Sequence, residues 1–149
     1  MNISGMVHVN INCSDFERSR EFYESLGFEL LVMVPERSTP DVAAAVGMPP
    51  YQVKGGLMRL PDSQTMIDLL EWKEPSDDTP PYSHLYHLGL GRIALSTTDL
   101  DADVATLKDR GVEFLSEPVT VEMENMPPSR FVCFKDPDGT TLELVEMSA

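Results

Sequence analysis

A chain of 149 residues, 42% of them hydrophobic, is one ordinary domain in size and can bury a core without disulfide or metal staples. Its formal charge of −14 argues against nucleic acid or an anionic membrane as partner, since both need a basic face. With no run of about 20 apolar residues and no basic segment leading into an apolar one at the start, the chain reads as cytoplasmic, without a membrane partner.

The first expected element is a strand over Met6–Asn12, where Val7, Val9 and Ile11 alternate with His8, Asn10 and Asn12. That period puts His8 on the face opposite the aliphatic residues. Ser14, with Glu17 three residues on, makes a capping-box pattern, and Asp15 favours the same helix start. The helix is predicted over Asp15–Leu26, packing Phe16, Phe22, Tyr23 and Leu26. Gly27 supplies the left-handed residue that ends it, and Phe28–Val34 returns as a second strand. The pattern then breaks. Residues 35–56 hold a short helix over Asp41–Val46 among prolines, readable either as a lid or as a plain surface excursion. Gly55–Leu60 and Met66–Trp72 follow as strands, joined by a turn through Pro61, Asp62 and Ser63.

Pro75–Pro81 is polar and proline-rich and reads as a linker between two halves, about residues 1–74 and 82–149 of a single domain. The programme then repeats. Gly91–Ser96 is a strand, Thr98 or Asp99 caps a helix that stops before Gly111, and Val112–Leu115, Ser129–Phe134 and Thr140–Met147 are strands. Asp136, Pro137, Asp138 and Gly139 form a tight turn between the last two. The order is β-α-β-β-β, twice. The repetition is also literal: HVNINCSDFERSREFYESLGFELL (8–31) aligns without a gap on RIALSTTDLDADVATLKDRGVEFL (92–115), and TMIDLLEW (65–72) on TTLELVEM (140–147). His8 therefore pairs with Arg92, and Asp68 with Glu143.

Two such modules, a histidine on the first strand, and DPDG before a final LEL strand resemble the vicinal oxygen chelate superfamily, which includes glyoxalase I, extradiol dioxygenases and bleomycin resistance proteins. The resemblance covers nearly the whole chain. It implies an α+β fold of two tandem βαβββ modules forming a cupped mixed sheet, with a divalent metal held by residues of the first and last strands of each module. Carried onto this sequence, those places are His8, Asp68, Arg92 and Glu143. The third usually reads histidine in metal-binding members.

Arg92 divides the expectation, because a guanidinium offers no lone pair and cannot ligate. Either His8, Asp68 and Glu143 hold a metal (manganese, iron, magnesium or zinc) while Arg92 grips an anionic substrate group, or Arg92 replaces the metal and pairs with the carboxylates. The first reading is a metal-assisted isomerase, epimerase or lyase acting on a small oxygen-rich substrate, with Glu143, Asp68 and Arg92 as catalytic groups. The alternative is a metal-free ligand-binding protein. An extradiol dioxygenase fits less well, since the resemblance assigns those members two histidines and a glutamate.

His84 and His87 stand just before the sixth strand, either as linker histidines in solvent or at a subunit contact, or as a source of the missing imidazole through a bulge near Gly89. Glu71 and Glu146 repeat symmetrically, but stand at odd steps from Asp68 and Glu143 and should face away from the site as solvated or interface carboxylates. Cys13 and Cys133 lack metal or redox spacing and read as buried free thiols. No dinucleotide-binding, phosphate-loop or nucleophile-elbow motif is present. Sheet edges left open by such a fold point to a homodimer.

Overall fold

In the computed structural model, which describes residues 1–148, each half of the chain builds a four-stranded mixed sheet. The two units are Met1–Thr79 and Pro80–Ala149, so the boundary falls inside the proline-rich linker.

The first unit begins with β1 (His8–Asn12), whose alternation buries Ile11 and leaves His8, Asn10 and Asn12 exposed. Next comes α1 (Phe16–Ser25). Its N-cap is Asp15, not Ser14: the Asp15 carboxylate accepts from Arg18 N at 3.0 Å, while Ser14 Oγ accepts from the Arg18 guanidinium. An aspartate accepts the orphan amide as well as serine does and adds a negative charge at the positive end of the helix. Phe16, Ser19 and Tyr23 form the buried stripe, with the small Ser19 allowing close approach. Phe22 and Leu26, expected beside them, are half-buried. Gly27 (φ +95°) closes the helix, its amide bonding Glu24 O at 3.0 Å, and Phe28 N reaches Tyr23 O at 3.1 Å.

β2 (Glu29–Met33) is followed by α2 (Pro40–Ala45), with Thr39 as cap and proline as first residue. The excursion that carries α2 is tied at its base. Val53 N bonds Glu36 O at 2.9 Å, Ser38 N bonds Tyr51 O at 3.1 Å, and the Ser38 hydroxyl accepts from Tyr51 N at 2.8 Å. β3 (Gln52–Arg59) starts earlier than the sequence suggests because this tether extends it. β4 (Met66–Glu74) completes the order β1-β4-β3-β2, parallel between β1 and β4 and antiparallel elsewhere. Ile11, Phe16, Tyr23, Met58, Ile67 and Leu69 are each at most 5% exposed. Burying a side chain of this size contributes about 1.5–3 kcal/mol, so this face holds α1 in place.

The second unit repeats the plan with β5 (Ile93–Thr97), α3 (Leu100–Asp109), β6 (Val119–Val121), β7 (Ser129–Lys135) and β8 (Thr141–Met147), in the order β5-β8-β7-β6. Asp99 caps α3 by accepting from Ala102 N at 3.0 Å. The strand expected over Val112–Leu115 is not formed. Phe114 makes an isolated bridge to Phe134, Leu115 N bonds Cys133 O, and the strand that pairs with β7 comes later, at Val119. Leu100, Val104, Leu107, Val132, Phe134 and Leu142 fill this unit's core. The turn between β7 and β8 is held by Asp136, whose carboxylate accepts from Asp138 N at 3.0 Å and Thr140 N at 2.8 Å.

Candidate functional site

In the first unit the strand pleat sorts side chains into two faces. Ile11, Met58, Ile67 and Leu69 face α1. The other face carries His8, Asn10 and Asn12 from β1, Leu57 from β3, and Met66, Asp68, Leu70 and Trp72 from β4. Asp68 lies opposite Asn10 on one neighbour and Leu57 on the other. The Asn10 amide donates to Asp68 O at 2.9 Å, and the Trp72 indole N–H donates to Asn12 Oδ1 at 2.9 Å, with the Tyr51 ring 4.9 Å from the indole. The Asp68 carboxylate itself is unsupported. Its Oδ1 is shielded from solvent and has no hydrogen-bond partner. Burial pushes its carboxyl above the ordinary value of 3.8, and the charge of His8 draws it part of the way back.

The second unit has the same scaffold and different chemistry. Glu143 lies opposite Ala94 on β5 and Cys133 on β7, and is 7% exposed. Arg92, just ahead of β5, donates from Nε to Glu143 Oε2, and the Cys133 thiol donates to the same oxygen at 3.5 Å. The Arg92 side chain remains 46% exposed, and a guanidinium that donates from Nε keeps its other N–H donors on the terminal nitrogens. Burial first, then the Glu143 charge, pushes the Cys133 thiol up, away from thiolate chemistry.

The four residues nominated by the repeat thus stand as two pairs, one in each unit: His8 with Asp68, and Arg92 with Glu143. Within neither unit, among the described residues, do three His, Cys, Asp or Glu side chains gather as a metal-holding group. Arg92 has no lone pair, and the second unit's carboxylate is already engaged by that cation. The residues in place do not fit a resident dication there, and the first unit alone supplies two donors.

Other expected residues resolve differently. Glu71 and Glu146 do face away from Asp68 and Glu143, but as helix caps rather than solvated carboxylates. Glu71 Oε2 accepts from Phe16 N at 3.1 Å and Glu146 Oε1 from Leu100 N at 3.2 Å, the first amides of α1 and α3. His84 and His87 lie in an exposed loop before β5, stacked on Tyr86 and Tyr82. Cys13 is buried and Cys133 half-buried, both free. Cys133 beside Glu143 was a missed neighbour. The DPDG turn fixes the β7–β8 register, and that register alone would have placed it there.

The family model described as Glyoxalase/Bleomycin resistance protein/Dioxygenase superfamily matches residues 5–144. Among curated proteins, YwkD of Bacillus subtilis is 28% identical, covering 98% of this chain and 99% of its own, and YaeR of Escherichia coli is 30% identical over 93% of each. Among solved structures, a glyoxalase family protein from Bacillus cereus superposes with a TM-score of 0.83 at 22% identity, covering 100% of this chain and 97% of that one. TnmS3, an antibiotic-binding protein from Streptomyces sp. CB03234, superposes with a TM-score of 0.66 at 24% identity, over 99% of each. At such identities the likeness to solved structures speaks for the fold.

Proposed function

The chain belongs to the glyoxalase/bleomycin resistance protein/dioxygenase superfamily, and we propose that within it this protein binds a small oxygen-bearing molecule without a resident metal ion. The observation that carries the reading is the Arg92–Glu143 pair. A position that would otherwise offer a metal an imidazole and a carboxylate holds an ion pair, and a fixed guanidinium charge repels a dication at short range. In exchange it offers hydrogen-bond donors. The terminal nitrogens of Arg92 suit a ligand carboxylate, phenolate or carbonyl, with Glu143 holding the guanidinium through Nε. In the first unit, Asp68 Oδ1 has unused acceptor capacity for a ligand hydroxyl or N–H, beside the apolar surface of Leu57, Leu70 and Trp72. The antibiotic-binding neighbour is in keeping with a role in holding a ligand without transforming it.

A second reading, a metal-assisted isomerase, epimerase or lyase with His8, Asp68 and Glu143 as ligands, is favoured by Asp68 alone, whose bare oxygen beside His8 is also what a metal ligand would look like.

Calorimetric titration of the wild type and Arg92→His with manganese, iron(II), magnesium and zinc separates the two. The substitution adds a lone pair, removes the cation and frees Glu143. The variant should therefore bind metal at least about tenfold more tightly than the wild type, about 1.4 kcal/mol. Equal, tight binding by both proteins would overturn the metal-free reading and leave Arg92 as a substrate contact.

A further inference from the structure

The twin modules differ in what they place at the ends of β4 and β8. Along the repeat, Asn12 of β1 corresponds to Ser96 of β5, Leu70 of β4 to Val145 of β8, and Trp72 to Met147. The registers agree. Asn12 lies opposite Leu70 as Ser96 lies opposite Val145, and Trp72 lies opposite Val53 as Met147 lies opposite Ser129.

In the first unit the chain fills this place itself. The Trp72 indole N–H donates to Asn12 Oδ1 at 2.9 Å, and the Tyr51 ring packs 4.9 Å from the indole. In the second unit a serine and a methionine stand at those two positions, and a hollow of about 540 Å³ opens beside them, within the second unit alone. That volume falls in the range of small-molecule sites, roughly 300–1,000 Å³.

The hollow has a restricted chemistry. Two of its lining side chains are already engaged at the start of α3. The Thr97 hydroxyl accepts from Asp99 N at 3.0 Å and donates to Asp103, while Glu146 accepts from Leu100 N at 3.2 Å and from Arg130 at 3.4 Å. The others are three hydroxyl residues, Ser96, Thr98 and Ser148, and two apolar ones, Val145 and the exposed Met147. None of these five carries a charge, so an ionic ligand finds no counter-ion among them. A flat neutral ring with one polar N–H suits them: a hydroxyl oxygen accepts, and a flexible thioether packs against aromatic rings.

We propose that this hollow is a binding site for a neutral aromatic heterocycle of the indole class, with Ser96 Oγ accepting the ring N–H and Val145 and Met147 packing on the ring. The first unit is the template. There the same scaffold holds an indole through the same two positions, one supplying the ring and the other the acceptor. The second unit keeps an acceptor, as a hydroxyl, and lacks the ring. The site stands four residues along β8 from Glu143, about 13 Å in an extended strand. It is therefore apart from the Arg92–Glu143 pair and goes beyond the reading given above.

Calorimetric titration with indole and 1-methylindole tests this on the wild type, on Ser96→Ala, and on the double variant Ser96→Asn/Met147→Trp, which puts the first unit's own pair into the hollow. Indole should bind the wild type at millimolar concentration or below. The methylated probe, which has no N–H, should bind roughly tenfold more weakly. Ser96→Ala should weaken indole by the same factor and leave 1-methylindole unchanged, because the bond it removes is absent there already. The double variant should lose indole while keeping wild-type far-ultraviolet dichroism. Ser96→Ala deletes one hydroxyl from an exposed residue, so its cycle decides the matter even where the larger variant fails to fold. A wild type that takes up no indole overturns the proposal. Indole binding that Ser96→Ala leaves intact overturns it too, as does equal affinity for the two probes, since either means that the N–H is not read at Ser96. Binding that survives in a folded double variant places the ring elsewhere and also overturns it. None of these outcomes depends on whether Arg92→His gains metal.

Discussion

Asp68 is a residue kept in a poor environment. With Oδ1 shielded and unpartnered and its carboxyl raised by burial, the folded chain holds the Asp68 proton more firmly than the unfolded chain does. Stability is therefore lost as pH climbs from 3.8 through the raised value, and it stays lower above that window. Asp68→Asn removes the penalty. Its melting temperature should exceed that of the wild type at neutral pH, and the difference should shrink toward zero below the ordinary carboxyl value. Scanning fluorimetry across pH checks this. A neutral-pH melting temperature below wild type would mean that Asp68 supports the fold and is not held at a cost for a ligand. The repeat nominated His8, Asp68, Arg92 and Glu143 from the sequence alone, since equivalent strand positions occupy equivalent places in the two units. What it left open was which carboxylate is neutralised. An ion pair and a bare oxygen differ by a few ångströms of side-chain placement, and no spacing rule contains that distance.

At the scale of elements, the two modules share a device that parity reasoning half detected. Glu71 and Glu146 were correctly turned away from Asp68 and Glu143, yet each reaches the first amide of the helix packed on that side. That amide has no partner within the helix, and a carboxylate there also meets the positive end of the dipole. Glu71→Ala and Glu146→Ala should each lower stability by about 1 kcal/mol, and the glutamine variants by less, since glutamine keeps the acceptor and loses the charge. Urea denaturation measures both; undiminished stability in the alanine variants would mean that Asp15 and Asp99 suffice. Element order was readable because helix starts and glycine stops recur at matched positions. β6 was not, because the chain makes one isolated bridge at Phe114 and begins its real pairing only after Pro118, in a strand of three residues. Three residues are too few for a period of two to register.

At the scale of the molecule, charge decides more than composition suggests. The unit boundary between Thr79 and Pro80 lies where the sequence turns proline-rich. In the loop just beyond it the sequence singled out His84 and His87, as linker histidines in solvent or at a subunit contact, and the exposure of Tyr86 and Leu88 beside them emerges from the structure. If two copies pair, their net charges of −14 oppose each other across the surface outside the contact. That repulsion is screened within about 8 Å at physiological ionic strength. Added sodium chloride should therefore tighten pairing, as read by the shift of the sedimentation midpoint to lower protein concentration. Pairing that weakens with salt would indicate that ion pairs hold the copies together.

Trp72 is the chain's one tryptophan, and it lies on β4 of the first unit, its indole bonded to Asn12 on the same sheet face as Asp68. Its emission is thus a local gauge. Light excited at the indole band reports the solvent and order around the sheet face that carries Asp68. Dichroism in the far ultraviolet sees the backbone of both units. Recorded on one sample, the two signals ask whether twin modules joined by a proline-rich tether melt as one cooperative body or in succession.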